Sequence, residues 1–122
     1  MTNLEKAQHS FTARQKDTFR QKGSETLTRS TTLISKINEL YQKRPALTLL
    51  AEILQRSQDQ EGIIKRALEQ YQKPLTFDQI KQVDNIIHEA AGKITKAYNY
   101  AEDLYSGRQN MPSNNSIQRI SP

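Results

Sequence analysis

The stretch IKQVDNIIHEAAGKITKAYNYAEDL, residues 80–104, decides the fold. Its apolar residues recur in alternating steps of three and four: Ile80, Val83, Ile87, Ala90, Ile94, Ala97, Ala101 and Leu104. That rhythm draws one narrow stripe along a helix of 3.6 residues per turn, and such a stripe is buried against other helices. The signals on either side fix its ends. Thr76 and Gln79 have the spacing of a capping box, Leu75 and Ile80 that of a hydrophobic staple, and Gly107 suits a left-handed C-terminal cap.

Working outward, Pro74-Leu75-Thr76 reads as a turn, preceded by a second helix expected over about residues 45–73. Its seam is Ala46, Leu50, Ile53, Ile64, Ala67 and Tyr71, with Ser57 and Gln60 as a polar waist and Gly62 just beyond. The heptad phase survives this interruption, which predicts one continuous helix despite the cost of an internal glycine. Arg44-Pro45 marks another turn, because a residue before proline avoids the α region and Pro45 suits the first turn of the next helix. Before it, a helix is expected from Ser24 to about Lys43, carried by Leu27, Leu33, Ile34, Ile37, Leu40 and Tyr41 and thinned at Ser30 and Thr31. Residues 1–23 are weakly patterned; Thr2 and Glu5 have the spacing of a capping box, so the arm is expected to be marginally helical, and Gly23 reads as an interruption. The residues beyond Ser106 are mostly polar and read as a disordered tail.

These signals predict an all-α fold, an elongated three-helix antiparallel bundle over residues 24–106 with helices at about 24–43, 45–73 and 77–106. A flexible basic N-terminal arm, 1–23, and a disordered C-terminal tail, 107–122, flank it. Helices of such unequal length leave apolar surface uncovered at one end of the bundle unless the N-terminal arm folds over it or a second chain does, and this unmatched surface predicts a homodimer or a partner helix.

Composition narrows the function classes. The chain has 122 residues, 34% of them hydrophobic, and its mean hydropathy is −0.83, enough for one thin core. Cysteine is absent, which removes disulfides, thiolate catalysis and cysteine-ligated zinc. The longest apolar run, AlaLeuThrLeuLeuAla from residue 46, is far below the roughly 20 residues that cross a bilayer, and the N-terminal residues lack a signal-peptide apolar region. A cytoplasmic protein without membrane attachment is expected. A non-classical secretion signal would leave no trace in these features.

Candidate chemistry is sparse. The four glycines are scattered, so no phosphate loop forms, and no carboxylate falls on an apolar stripe where burial would raise its pKa. Asp84 and His88 have helix-face spacing, but two ligands do not make a metal site, and a surface hydrogen bond is their expected role. Glu61 with Lys65 and Glu89 with Lys93 read as surface ion pairs. The expectation is therefore a protein that is not an enzyme and needs no cofactor or metal. The charge is +5 overall, and residues 1–44 hold all of the excess, with nine Lys and Arg against four Asp and Glu. Basic residues interleave there with Phe11 and Phe19, a combination suited to an acidic protein surface or to nucleic acid. Tyr98 and Tyr105 stand seven apart on one flank of the seam of the third helix, with Tyr100 on the other flank. Tyrosines beside a seam serve as binding hot spots or as bundle edges. The expected partner contacts are Tyr98, Tyr105, Arg14, Lys16, Arg20 and Lys22.

A small cysteine-free helical bundle rich in Gln, Lys and Asn, with a polar tail such as Met111-Pro112-Ser113-Asn114-Asn115-Ser116, resembles the accessory proteins of bacterial secretion systems. These are helical chaperones and small proteins that bind and inhibit a secreted effector. The resemblance covers architecture and composition across the chain and rests on no specific motif. It implies a non-enzymatic regulator that binds another protein. The alternatives are a nucleic-acid binder using the basic arm and a self-assembling structural subunit.

Overall fold

A computed structural model of the chain describes residues 3–107, with side chains from residue 13 onward. Three helices account for nearly all of it: α1, Asn3–Lys43; α2, Thr48–Glu69, continued by a single 3-10 turn at Gln70–Gln72; and α3, Phe77–Ser106. No strand occurs among the described residues. Each helix packs against both others, so the bundle is triangular in section, with α2 antiparallel to α1 and α3.

The third helix has the expected ends. Gln79 N donates to Thr76 Oγ1 at 3.2 Å while Thr76 N donates to Gln79 Oε1 at 2.9 Å, which closes the capping box. Asp78 lies in the positive first turn, and Gly107 ends the helix at φ 75°. Of the stripe, Ile80, Val83, Ile87, Ala90, Ile94 and Ala101 are buried, and Ala97 and Leu104 are half-buried. The second helix runs through Ser57 and Gly62 without a break. It starts later than expected, at Thr48, because Pro45 and Ala46 sit in a tight turn where Leu47 N donates to Arg44 O at 3.0 Å.

The first helix differs from expectation over half its length. It does not begin at Ser24 after an arm; it begins at Asn3 and passes through Gly23. The reason is packing. Gly23, Thr26 and Ser30 are buried and continue the three-four rhythm between Phe19 and Ile34, so small residues bring α1 close to its neighbours. A Cβ added to Gly23 would stand 2.8 Å from Leu68 Cδ2 and 3.1 Å from Ile87 Cδ1. Phe19 packs on the same core, and Lys16 Nζ donates to Lys73 O at 3.1 Å, meeting the negative end of the second helical segment. The bundle end expected to lie uncovered is thus covered by residues 13–23 of α1. Residues 1–2 and the expected tail beyond Gly107 lie outside the described residues.

Two apolar clusters fill the interior. One gathers Ile34, Ile64, Ala67, Tyr71, Ile80, Val83, Ile87, Ala90 and Ile94; the other gathers Ile37, Leu50, Ile53 and Ala101 at the opposite end. Burial of one isoleucine stabilises the fold by about 1.5–3 kcal/mol, and these side chains supply most of the stability. At the second end Arg44 Nη1 donates to Tyr105 O at 2.6 Å and ties the α1–α2 turn to the last turn of α3.

Gly92 is exposed inside α3, and nothing lies within 4 Å of the position a Cβ would take. Gly92→Ala is therefore expected to raise the unfolding free energy by about 1 kcal/mol, the difference in helix propensity, read by urea denaturation. Tyr71 responds to pH. Its hydroxyl is buried without a hydrogen-bond partner, and burial, aided by the charge of Asp84, pushes its pKa up to about 12. The neutral phenol favours the folded state, so this contribution is complete below the unfolded value of 10.0 and fades as pH rises through 12. Ultraviolet titration should show one tyrosine ionising near pH 12, a step that Tyr71→Phe removes.

Candidate partner-binding surface

The three tyrosines near the end of α3 fall on its two flanks, and the helix repeat of about 100° per residue separates them. Tyr98 and Tyr105 face α1. Tyr98 is half-buried against the second cluster with Lys36 Nζ 5.8 Å from its ring centroid, and its hydrogen bond to Glu102, with lesser contributions from burial and the Glu102 charge, raises its pKa. Tyr105 is half-buried with the Arg44 guanidinium 5.6 Å from its ring centroid. Both rings thus make edge contacts within the bundle while keeping part of their surface in solvent.

Tyr100 is placed differently. It faces the groove between α2 and α3 and is 45% exposed, and Ile86, two heptads earlier on that flank, is 46% exposed. They are two of three large apolar side chains left this open among the described residues. The third, Phe77, stands at the start of α3 with Lys81 Nζ 5.6 Å from its ring centroid.

Two cavities lie along this α2/α3 groove. One, of about 400 Å³, is lined by Leu49, Ile53, Ser57, Ala97 and Tyr100, with Glu52, Arg56, Asp59, Gln60, Lys93 and Lys96 around it. The other, of about 460 Å³, is lined chiefly by Ile63, Ala67, Leu75, Val83 and Ile86 with Arg66 and three glutamines. The groove is apolar along its floor and polar at its rim, which is the composition of a docking surface. Ser57 stands in the first cavity wall at 1% exposure, and its hydroxyl has no hydrogen-bond partner. The polar waist read from the sequence thus coincides with a hollow between helices.

The expected basic contacts do not form one patch. On the helical wheel of α1, Lys16 turns towards the bundle and Arg14 lies on nearly the opposite face. Arg20 pairs with Asp17, and Lys22 Nζ sits 5.3 Å from the Phe19 ring centroid. Lys22 instead shares a row with Arg29, Lys36 and Lys43, all exposed and seven apart. That row was missed because the expected break at Gly23 divided it. Glu25 and Glu39 stand one turn from its members, so the row is interleaved with negative charge.

Asp84 and His88 come together as a helix-face contact, His88 Nδ1 lying 3.3 Å from Asp84 Oδ2 and 3.0 Å from Asp84 O. Among the described residues no three His, Cys, Asp or Glu gather as metal ligands, and no helix is long and apolar enough to cross a membrane. The Glu61–Lys65 pair forms at 3.9 Å, whereas the expected Glu89–Lys93 ion pair does not form, and Lys93 lines the groove cavity instead. No protein-family model matches the chain, and neither a curated protein nor a solved structure matches it.

Proposed function

We propose that this protein is a non-enzymatic regulator, an inhibitor or chaperone, that works by binding another protein and receives a helix of that partner in the α2/α3 groove. The observation that carries the reading is the exposure of Ile86 and Tyr100 along a groove with an apolar floor, where among the described residues Phe77 is the one other large apolar side chain comparably open. Exposed apolar side chains bordering a hollow cost solubility unless something covers them, and aromatic residues so placed dominate binding energy. A fourth helix seated there would meet both cavities with side chains spaced along one face. The resemblance to secretion-system accessory proteins points the same way, with the cytoplasm as the place of action. Tyr98, Tyr105 and the basic residues Arg14, Lys16, Arg20 and Lys22 then stand outside the main contact and supply at most its periphery.

The test is binding to a partner recovered by tagged capture from the native organism under nuclease treatment, comparing two double variants. Ile86→Ser with Tyr100→Ala is expected to weaken binding at least tenfold with helical content unchanged, since both side chains are already half in water. Tyr98→Ala with Tyr105→Ala is expected to lose less. The reverse order would reject the groove.

A second reading keeps one observation of its own. Arg14, Arg20, Lys22, Arg29, Lys36 and Lys43 are all exposed on α1, and a nucleic-acid binder would use them. It requires retention that is abolished by nuclease and falls steeply with salt. A self-assembling subunit, the remaining alternative, requires a mass that grows with concentration and no foreign partner; a homodimer through the groove would be its smallest form.

A further inference from the structure

The two hollows of the α2/α3 groove lie within reach of the chain's own next residues. Gly107 ends α3 with a left-handed backbone, φ 75°, which bends the chain away from the helix axis. The residues that follow, RQNMPSNNSIQRISP at 108–122, carry three large apolar side chains, Met111, Ile117 and Ile120, in an otherwise polar run. Pro112 biases Met111 towards the extended region, and the serines and asparagines after it are poor helix formers, so the run favours an extended path. Its apolar spacing matches the spacing of the hollows. Counted back from Gly107 at about 1.5 Å per helical residue, Tyr100 and Ala97 of the first cavity lie about 10 and 15 Å along α3, and Ile86 and Val83 of the second lie about 32 and 36 Å. An extended chain advances about 3.2 Å per residue, which takes Met111 to about 13 Å and Ile117 to about 32 Å. Ile120 then stands level with the start of α3, near Leu75 of the second cavity.

We infer that residues 108–122 lie extended in the α2/α3 groove of their own chain, antiparallel to α3, with Met111 in the first hollow and Ile117 in the second. This occupant rests on reading the groove as a docking surface, and it regulates access to that surface. A tethered segment acts at an effective concentration in the millimolar range, which places it ahead of a second copy of the chain at ordinary protein concentrations. Its polar residues between 112 and 116 pass the rim at Lys93 while the apolar ones reach the floor. A partner helix gains the groove by displacing the segment, and until then Ile86 and Tyr100 are shielded from water.

The test uses engineered disulfides in the full-length protein, which has no cysteine of its own. Lys93→Cys with Asn114→Cys, and Gln82→Cys with Gln118→Cys, pair positions at the same level of the groove. Lys93→Cys with Gln118→Cys, and Gln82→Cys with Asn114→Cys, set them about 15 Å apart along it, beyond the roughly 7 Å between Cα atoms that a disulfide spans. Both helix positions are exposed, so the replacements leave the core intact. With oxidised glutathione at low protein concentration, the matched pairs are expected to close within the monomer about tenfold faster than the crossed pairs. An unattached segment would close all four loops within about threefold of one another, since their lengths differ by less than twofold. Adding Met111→Ser and Ile117→Ser should slow the matched pairs to the crossed rate while circular dichroism stays unchanged. Equal rates for matched and crossed pairs, no effect of the two serines, or disulfides only between chains would overturn the assignment. No partner enters this test, so its failure is distinct from a failure of the partner reading, which the Ile86 and Tyr100 variants decide.

Discussion

Replacing Ile87 with alanine lowers the unfolding free energy by about 2–5 kcal/mol, the cost of deleting a fully buried isoleucine and leaving a cavity. Ile87 lies in the larger cluster and reaches the seam where α1 crosses, close to the missing Cβ of Gly23. The surrounding helices cannot close the space without giving up contacts with Ile64 and Ile80, which are also fully buried. In a thin core the loss is a large fraction of total stability, and a drop of ten degrees or more in Tm is expected at roughly 4–8 °C per kcal/mol. The neighbouring residue gives the contrast. Ile86, 46% exposed, should change stability by less than about 0.5 kcal/mol on conversion to alanine. Two adjacent isoleucines thus separate folding from binding: Ile87→Ala melts early, whereas Ile86→Ala folds normally and binds the partner more weakly.

The second large effect is at Gly23. Gly23→Leu is expected to destabilise the protein by about 1–3 kcal/mol, because the new side chain is driven into Leu68 and Ile87. The sign is informative. Leucine is a better helix former than glycine by close to 1 kcal/mol, so in a flexible arm the same change would be harmless or favourable. Gly23→Ala lies between these limits. Its Cβ meets the end of a movable leucine side chain, and the displacement it forces roughly offsets the gain in propensity. Urea denaturation of the alanine and leucine variants gives the comparison, with near-neutral and clearly destabilised as the expected pair.

The same glycine explains how much of this fold was legible beforehand. The third helix was readable to the residue, because its stripe is carried by side chains that are apolar by any scale and its ends by a capping box and a glycine cap. The continuity of the second helix followed from heptad phase across Ser57 and Gly62. In the first helix the stripe passes through Gly23, Thr26 and Ser30, which bury themselves by being small. Hydrophobic periodicity is blind to such positions, so a seam residue reads as a break. The separate arm and the short first helix of the sequence reading both follow from that apparent break.

The candidate site was legible only in fragments. Tyrosines on both flanks of α3 were visible, but the wheel alone does not say which flank faces a neighbour. The structure sets α1 against Tyr98 and Tyr105 and leaves Tyr100 beside the α2/α3 groove. Ser57 was recognised as a polar residue on a seam, yet a hollow next to it depends on Ala97 across the groove, a residue on another helix. Charge gave the least guidance. The surplus in the first third is real, but the helix distributes Arg14, Lys16, Arg20 and Lys22 around its circumference.

Site-specific photo-crosslinking tests the partner reading most directly, with a benzophenone amino acid in place of Tyr100 and, in a separate sample, in place of Glu25 on the outer face of α1. Irradiation in cells of the native organism is expected to give one discrete adduct with a different protein from position 100 and none from position 25. An adduct at position 25 alone, or only a crosslinked pair of this chain from position 100, would contradict the account.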